Sequence, residues 1–391
     1  MFKKSILVSL GLCAILSAQD FDTFLQNALH NSPYLQANKL AISQADANSA
    51  IVQRYKNPTL ELEASRFRPD RESDANGYRA ALTQPIRLWG VGDDRASLAD
   101  ATKAEAKEFV TLKRADFIKR LSLLYIEYSI NSSLLALAQE EMQVAQTIVD
   151  ISYARYDAGT IAKIKYLQAK VDLLRSQNIL QEQKAKTVAS YYKLLAFAGL
   201  QEEVEIEKDY NFRLTASNDS QAPSLAYIAA QQKKQEAAAT LNTHKIEWMS
   251  LYGEVEKERD QKSYRVGIEI PLAIFNTKKE ERTIAKLQAK KSAFLLKNQQ
   301  QQLGIVLKSI KKELALLQGV LDSTQKLYAT QKELLVMYEE GYKIANINLI
   351  ELQNIKNQMI ATKEKTITLK KKIQQNIVNY NYAVGAYNES K

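Results

Sequence analysis

The chain contains few residues that interrupt helices. Its 391 residues include only 12 glycines and 6 prolines, which is low against average usage of roughly 7% and 5%. The prolines stand at positions 33, 58, 69, 85, 223 and 271, so none falls within 86–222 or 272–391. Because proline kinks or breaks an α-helix, these two stretches are predicted to form long, uninterrupted helices.

Residues that commonly build reactive or metal-binding sites are also scarce. There is one cysteine, Cys13, and there are two histidines, His30 and His244, each alone in a helical stretch. No phosphate-binding glycine loop, nucleophile elbow or metal-ligand spacing occurs. We therefore expect a protein that is not an enzyme and that uses no cofactor or metal. A single cysteine also excludes an intrachain disulfide bond.

Residues 1–18 predict a signal peptide. Lys3-Lys4 precedes an apolar stretch from Ser5 to Leu16, and Ser17-Ala18 provides a small-residue exit. A short buried N-terminal helix is the alternative. A lipid-modified Cys13 is disfavoured, because the bulky Leu12 precedes it and the apolar stretch would be cut short.

Long hydrophobic runs are missing after the signal peptide. No later stretch offers the 18 or more apolar residues of a transmembrane helix, and the mean hydropathy is −0.34. A membrane is still possible, because a barrel strand needs only about 9–11 alternating residues. The net charge is +10, but acids and bases are interspersed, which indicates solvated helical faces. A basic coiled coil that binds nucleic acid conflicts with the signal peptide, so no nucleic-acid partner is expected.

The sequence repeats one pattern twice. Tyr156-Asp-Ala-Gly159 and Tyr338-Glu-Glu-Gly341 each lie between long helical stretches, and each follows a strand-like segment with a proline, Pro85 or Pro271. Such self-similarity predicts a duplicated architecture. The predicted organisation is a signal peptide at 1–18, a first repeat at 19–200, a connector at 201–222 and a second repeat at 223–391.

Each repeat is predicted to contain a β-hairpin. Residues 58–67 alternate between apolar and polar side chains, and 78–86 form the return strand. Segments 248–256 and 264–271 repeat this pattern. Glu61, Glu63 and Glu269 alternate with apolar neighbours, which suits either a membrane barrel with a polar lumen or a soluble sheet with one wet side. Five aromatic residues flank the strands and are predicted to form an interfacial belt: Trp89, Trp248, Tyr78, Tyr252 and Tyr264.

The remaining stretches are predicted to be helical. These are 22–56, a long helix at about 91–155, a helix to about 197, a helix at 224–246, a second long helix at about 278–340 and a last helix at 347–385. The long helices carry apolar residues at alternating steps of four and three, which is a coiled-coil seam. The first seam is Phe117, Leu121, Leu124, Tyr128, Asn131, Leu135, Ala138, Met142, Ala145 and Val149. The second is Leu303, Leu307, Ile310, Leu314, Leu317, Leu321, Thr324, Tyr328, Gln331, Leu335 and Tyr338.

This order of elements, given twice behind a signal peptide, resembles the outer-membrane efflux proteins, the TolC-like family. The resemblance covers roughly residues 20–388. Its most specific pieces are Tyr156-Asp-Ala-Gly159 with Leu167 and Ala169, Tyr338-Glu-Glu-Gly341 with Leu349, and Val266-Gly-Ile-Glu-Ile-Pro271. It implies a mainly α fold in which long antiparallel helical hairpins form a trimeric tunnel. Each protomer would add four strands to a shared 12-stranded transmembrane β-barrel.

The resemblance also implies a function and partners. The homotrimer would lie in the outer membrane of a Gram-negative bacterium and extend into the periplasm. It would be a passive duct of a tripartite efflux or type I secretion system, docked by a periplasmic adaptor and an inner-membrane transporter. The alternative is a periplasmic coiled-coil adaptor or scaffold, which should instead carry a compact, glycine-rich β domain. The cargo stays open among drugs, metal ions and peptides.

The candidate site residues lie at the two Tyr-x-x-Gly turns. In the family, helical tips around this glycine engage the adaptor, which implies docking by Tyr156, Gly159, Thr160, Tyr338, Gly341 and Tyr342. Both glycines are expected to end their helices, since glycine tolerates the left-handed conformation of a C-cap. The two repeated prolines, Pro85 and Pro271, would mark the strand-to-helix junctions.

A constriction is expected beside the second turn. Family members often carry aspartates six and nine residues after the second glycine, but Ile347 and Ile350 stand there in this chain, so an acidic ring is in doubt. Asn346, Asn348 and Glu351 are the remaining candidates to line it. Asn348, with Glu351 three residues later, is also predicted to cap the last helix.

Overall fold

The computed structural model describes residues 19–68, 70, 74–215 and 222–388. The predicted signal peptide, with Cys13, lies outside them. The elements are α1 Phe21–Asn31, α2 Pro33–Gln53, β1 Thr59–Phe67, β2 Ala75–Arg87, α3 Val91–Asp157, α4 Lys163–Ala198, α5 Pro223–Leu241, β3 Trp248–Glu258, β4 Gln261–Glu269, α6 Lys279–Lys343 and α7 Leu349–Ala383. The predicted mainly helical fold with two β-hairpins is therefore confirmed.

The described residues form two compact units. Unit 1 contains 19–35, 116–215 and 307–382, and it includes both Tyr-x-x-Gly turns. Unit 2 contains 36–68, 70, 74–115, 222–306 and 383–388, and it includes all four strands. Each unit thus takes segments from both predicted repeats.

The first predicted helix is divided in two. α1 ends at Asn31, and Ser32 adopts an extended conformation with φ −66° and ψ 114°. The single helix predicted over 22–56 is wrong at this point, because the residue before a proline is driven out of the α region. Pro33 then begins α2, where a missing backbone N–H is tolerated. Asp20 caps α1 by accepting a 2.9 Å hydrogen bond from the Thr23 amide.

Both predicted seams face the helical core. α3 has 67 residues and α6 has 65, close to the predicted lengths. Every residue of the two seams is buried or half-buried. One 18-residue window of α3 has a mean hydropathy of 1.3 and is apolar enough to cross a membrane by composition alone. No such helix was predicted after the signal peptide.

Gln19 is hydrogen-bonded to the predicted connector, and the connector is hydrogen-bonded to α3 within unit 1. The Gln19 amide donates to the Glu205 carbonyl, and the Glu207 amide donates to the Gln19 carbonyl, both at 2.8 Å. The buried Tyr125 hydroxyl of α3 donates to the Glu207 carbonyl at 2.6 Å and accepts from the Tyr210 amide at 3.1 Å. Burial raises the pKa of Tyr125, so the hydroxyl stays protonated and keeps both bonds.

The four strands form one antiparallel sheet in the order β1-β2-β3-β4. The two hairpins are joined by pairing between β2 and β3, from Tyr78 opposite Lys257 to Arg87 opposite Trp248. Among the described residues, β1 and β4 each pair on one side only. The sheet therefore has two open edges, which is a liability for an isolated chain.

The two faces of the sheet differ in chemistry. Side chains opposite each other in the register point to the same face. One face is mainly apolar and includes Leu60, Leu62, Ala64, Tyr78, Ala80, Leu82, Leu251, Gly253, Val255, Tyr264, Val266 and Ile268. Most of its large side chains are exposed. A row of exposed apolar residues on a sheet indicates that this face contacts an apolar partner or a membrane.

The opposite face carries an ionic network. Glu254 is buried and pairs with Arg79 at 2.9 Å and also with Arg265. Arg265 also pairs with Glu256 at 2.7 Å. The Arg79 guanidinium lies 3.5 Å from a carboxylate oxygen of Glu61 and of Glu63 on β1. The predicted polar side of the strands therefore exists, and it cross-links all four strands.

The predicted aromatic belt is only partly correct. Tyr78 and Tyr264 lie on the apolar face and are exposed. Tyr252 instead lies on the ionic face, opposite Gly267, where a Cβ on the glycine would come 2.6 Å from the tyrosine ring. The ring covers the glycine, so it does not face outward. Trp89 is exposed at the strand-to-helix end, while Trp248 is half-buried.

The two repeated prolines lie beside strand ends. Pro85 stands inside β2, but β1 begins opposite Thr83, so β2 is paired at Pro85 only with Ser250 of β3. The missing N–H therefore need not disrupt a central ladder. Pro271 follows the end of β4 at Glu269 and precedes α6. Pro85 thus lies two residues before the end of β2, and Pro271 two residues after the end of β4.

Candidate functional site: the two helical turns of unit 1

The first Tyr-x-x-Gly turn ends its helix as predicted. α3 stops at Asp157, and Gly159 has φ +71°. The Gly159 amide donates to the Tyr156 carbonyl at 2.9 Å, and the Thr160 amide donates to the Arg155 carbonyl at 2.8 Å. Nothing lies within 4 Å of a Cβ built on Gly159. Glycine is therefore required here by its backbone conformation and not by a close contact.

The second turn is built differently, and the prediction that Gly341 ends its helix is wrong. α6 runs through Gly341 to Lys343, and the left-handed residue is Ala345, with φ 66°. The Gly341 carbonyl accepts from the Asn346 amide at 2.9 Å. A Cβ on Gly341 would lie 2.6 Å from Cδ1 of Ile347. Gly341 thus allows the chain to fold back closely onto the helix.

A capping box begins the last helix, as predicted. The Glu351 amide donates to the Asn348 side-chain oxygen at 2.9 Å. In return, the Asn348 amide donates to the Glu351 carboxylate at 3.3 Å. Two of the free amides at the start of α7 are satisfied in this way. Ile350, the other position where relatives carry an acid, is exposed on the first turn of α7.

Tyr342 connects the two turns. Its side chain is 1% exposed, and its hydroxyl lies 2.9 Å from the Ser152 hydroxyl of α3. The Arg155 guanidinium donates to the Tyr342 carbonyl at 2.8 Å and stands 4.7 Å from the centre of its ring. Tyr342 was predicted among the adaptor-docking residues, but its ring is part of the core and is not offered to a partner in this conformation.

The other predicted tip residues are more accessible. Tyr156 is 37% exposed and stacks on Tyr166 with 5.9 Å between ring centres. Thr160 is exposed, and its hydroxyl donates to the Arg155 carbonyl at 2.9 Å. Tyr338 is half-buried against the core shared by α3, α4, α6 and α7. This core contains Ala145, Ile148, Val149, Ala169, Leu173, Leu335, Tyr342, Leu349, Leu352, Ile355 and Met359.

An open pocket of about 350 Å³ lies between the turns. It is lined by Arg155, Ile161, Lys165, Tyr342, Ala345, Asn346, Ile347, Asn348, Leu349 and Glu351. The structure thus brings together four of the five predicted constriction residues, and only Ile350 lies outside. The acids expected in relatives are replaced by a mixed lining with two cations and one carboxylate.

Part of the chain matches a known protein family. Residues 24–200 match the family model described as outer membrane efflux protein. The resemblance to the outer-membrane efflux proteins is confirmed. The nickel-cobalt-cadmium resistance protein NccC of Alcaligenes xylosoxydans xylosoxydans is 19% identical over 287 residues, which are 69% of this chain and 64% of NccC. The chain therefore spans about 64% of the length of this curated relative.

Solved structures of outer-membrane channels share the fold. The channel OprN is 14% identical, with a TM-score of 0.80 over 94% of this chain and 90% of OprN. The open state of the MtrE channel of Neisseria gonorrhoeae is 13% identical, with a TM-score of 0.72 over 93% of this chain and 88% of MtrE. At these identities, the outer-membrane efflux fold is what the likeness shows.

A buried ion pair supports the helices near the turns. Lys356 of α7 is fully buried, and its ammonium lies 2.5 Å from the Asp172 carboxylate of α4. A buried lysine without a partner is strongly unfavourable. The pair therefore holds α4 and α7 in one relative register within unit 1.

Sequence reasoning missed Arg155, Ser152 and Lys356. Ser152 continues the first seam, since Val149, Ser152 and Tyr156 follow each other at steps of three and four. A polar residue at a seam position was the available signal. Arg155 and Lys356 gave no such signal, because charged residues are common on every helix of this chain.

Proposed function

We propose that this chain is an outer-membrane channel of a tripartite efflux or type I secretion system. Three copies close their sheets into one 12-stranded barrel in the outer membrane, and their helices form a tunnel into the periplasm. The observation that carries the proposal is the four-stranded sheet with an exposed apolar face, an ionic face and two open edges. The family match and the shared fold of OprN support it.

The open edges give a reason for trimerisation. Four strands are too few to close a barrel, whereas known bacterial barrels have at least 8. Pairing β4 of one copy with β1 of the next satisfies both edges and leaves none. The apolar face would then meet lipid, and the ionic network around Glu254 would line the lumen.

The helices of unit 1 also carry exposed apolar stripes that no described residue of the chain covers. On α4, exposed apolar residues alternate at steps of three and four: Ile164, Leu167, Val171 and Leu174. On α6, a second exposed stripe has steps of four and seven: Leu316, Val320, Leu327 and Leu334. This is the spacing of a coiled-coil seam. We assign these stripes to contacts between protomers.

The two turns would be the periplasmic tip where an adaptor docks. The accessible residues Tyr156, Gly159 and Thr160 would offer the docking surface, and Tyr338 and Gly341 would shape it. The link between Arg155 and Tyr342 would hold the tip in its resting state. Docking of the adaptor and an inner-membrane pump would separate the two turns, and the pump would supply the energy. The solved MtrE structure is of an open state of that channel, so the shared fold can adopt an open conformation.

The alternative is a periplasmic coiled-coil adaptor or scaffold. An adaptor or scaffold of this kind should contain a compact, glycine-rich β domain. The four described strands instead form a single-layer sheet with an exposed apolar face. Family and structural neighbours are channels and not enzymes. Among the described residues, no group of three or more His, Cys, Asp or Glu could hold a metal ion.

Labelling of two adjacent residues tests the proposal. Leu62 and Glu63 point to opposite faces of β1, and Leu62 is 72% exposed in the isolated chain. In intact cells with a Cys13→Ser background, a charged, water-soluble maleimide should label Glu63→Cys through the lumen and leave Leu62→Cys unlabelled. A membrane-permeant maleimide should reach both. Equal labelling of both by the charged reagent, together with a protein that stays soluble in the periplasm, would favour the scaffold.

A further inference from the structure

One row of the sheet's apolar face carries charge. Ala64, Tyr78, Lys257 and Lys262 lie opposite one another in register across the four strands. This is the row of the apolar face closest to the β3–β4 turn. The two lysines are neighbours on adjacent strands and point to the same face.

This pairing is unfavourable within the chain itself. Like charges directly opposite each other on a sheet are destabilising. In the described part of the chain, no carboxylate lies within 4.0 Å of either ammonium. The neighbouring strand carboxylates, Glu256 and Glu258, point to the ionic face, and Glu256 pairs with Arg265. An anion from outside the chain would offset the repulsion.

The neighbours of the lysines indicate the level of a membrane interface. Tyr78 shares their row, and Tyr264 lies one row further into the apolar face; both rings are exposed. Tyrosine is enriched where a hydrocarbon layer meets water. The lysines therefore stand immediately outside the tyrosines, where lipid headgroups would be.

The length of the apolar face agrees with this level. Met249 and Lys257 point to the same side of β3 and are eight residues apart. Eight residues of strand span about 27 Å, and a strand tilt of about 40° reduces the height to about 21 Å. This is close to the apolar band of about 25 Å in outer-membrane barrels. If Met249 lies at the periplasmic boundary, Lys257 reaches the outer one.

We propose that Lys257 and Lys262 form a binding site for the phosphate groups of lipids in the outer leaflet. The proposal rests on the proposed function, because it needs the sheet in the outer membrane with its turns outward. A single phosphate between the two ammonium groups converts a repulsive cross-strand pair into two attractive contacts. Each lysine near an anionic headgroup contributes about fivefold in affinity.

Binding of a defined lipid tests the site. The purified full chain in dodecyl maltoside is titrated with bisphosphorylated lipid A and followed by native mass spectrometry. The chain should bind it, and Lys257→Ala/Lys262→Ala should bind about 30-fold more weakly. Lys308→Ala/Lys312→Ala removes the same charge from two exposed lysines of α6 and should bind like the wild type.

Two further arms identify the source of the phosphate. Lipid A without phosphate should bind the wild-type chain as weakly as bisphosphorylated lipid A binds the double variant. Inorganic phosphate at equal concentration should not compete, since it lacks the acyl chains that the apolar face would contact. Equal binding of both lipids, or competition by inorganic phosphate alone, would overturn the proposal. So would unchanged lipid binding by the double variant.

A charge-reversal variant separates binding from structure. Lys262→Glu places a carboxylate opposite Lys257 and should raise the thermal stability in detergent without lipid. It should also remove the additional stabilisation that bisphosphorylated lipid A gives the wild type. Conductance in a planar bilayer is measured on the same preparations. If the chain conducts but does not bind lipid in a phosphate-dependent way, only this inference is contradicted. If no form inserts into the bilayer or conducts, the proposed function is contradicted.

Discussion

Arg155 and Tyr342 hold the two helical turns of unit 1 together, although 187 residues separate them in the sequence. The Arg155 guanidinium donates to the Tyr342 carbonyl at 2.8 Å and lies over its ring at 4.7 Å. A charged hydrogen bond and a cation–π contact between the same two residues are stronger than an ordinary surface contact. The contact links the C-terminal end of α6 to the last turn of α3, so a displacement of one turn also acts on the other.

The buried hydroxyl pair beside this contact should behave as one unit. Ser152→Ala leaves the Tyr342 hydroxyl without its 2.9 Å partner and should lower the free energy of unfolding by about 1–3 kcal/mol. Tyr342→Phe removes the other partner and should have a similar effect. The double variant should cost less than the sum of the single changes, measured by urea denaturation. Strict additivity would show that the hydroxyls do not interact.

The close approach at Gly341 predicts that Gly341→Ala lowers the stability, although alanine usually stabilises a helix relative to glycine. Replacing a helical glycine by alanine normally stabilises a protein by about 1 kcal/mol. Here the new methyl group would lie 2.6 Å from Cδ1 of Ile347, so Gly341→Ala should destabilise. In an Ile347→Ala background the obstacle is gone, and the same substitution should stabilise. A thermal shift of the same sign in both backgrounds would contradict this packing.

The buried ion pair of Lys356 and Asp172 should matter mainly when it is broken. Lys356→Met leaves a partly buried carboxylate unpaired, and Asp172→Leu leaves a fully buried ammonium unpaired. Each change should cost about 3–5 kcal/mol of unfolding free energy. The double variant Lys356→Met/Asp172→Leu should be close to the wild type. If the double variant is as unstable as either single variant, the pair does more than neutralise charge.

The half-buried carboxyl of Glu339 should make the turn sensitive to pH. Burial raises its pKa above the ordinary value of 4.5, Lys343 acts against this and Glu340 adds to it. Folding therefore favours the protonated acid, so its contribution to stability is complete below about pH 4.5 and is lost as the pH rises through the folded pKa. Glu339→Gln should reduce the pH dependence of the melting temperature between pH 4.5 and 7. Glu333→Gln, an exposed position on the same helix, should retain the wild-type profile.

The ionic face of the sheet should favour cations. In register it carries six carboxylates, of Glu61, Glu63, Glu254, Glu256, Glu258 and Glu269, against the guanidinium groups of Arg79, Arg87 and Arg265. A lumen of this composition raises the local concentration of cations. Glu61→Gln/Glu63→Gln should lower the ratio of cation to anion permeability, read from the reversal potential in a salt gradient. Arg265→Gln should change it in the other direction.

Much of the architecture follows from periodicity. Steps of four and three placed both seams correctly because α3 and α6 bury one face along their length, and alternation placed the strands of both hairpins to within a few residues. The break at Ser32 was not predicted, although Pro33 gave the signal, because the residue before a proline is driven out of the α region.

The details of the candidate site were less accessible from sequence. The two Tyr-x-x-Gly motifs look equivalent, yet the left-handed residue is Gly159 in one turn and Ala345 in the other. What separates them is the packing of Ile347 against Gly341, a contact that no local pattern encodes. The contact between Arg155 and Tyr342 and the pair of Lys356 and Asp172 join distant segments, so only the tertiary structure reveals them.

Single-channel conductance of the purified chain in a planar bilayer is the sharpest test of the proposed channel and its gate. We expect discrete conductance for the wild type and a larger or longer-lived conductance for Arg155→Ala, which releases Tyr342 at the tip. Lys165→Ala removes another cation from the same pocket and should leave the openings unchanged. Absence of conductance in every form, with the protein remaining in the aqueous phase, would contradict a channel. Identical conductance of Arg155→Ala and the wild type would contradict a gate held by these two residues.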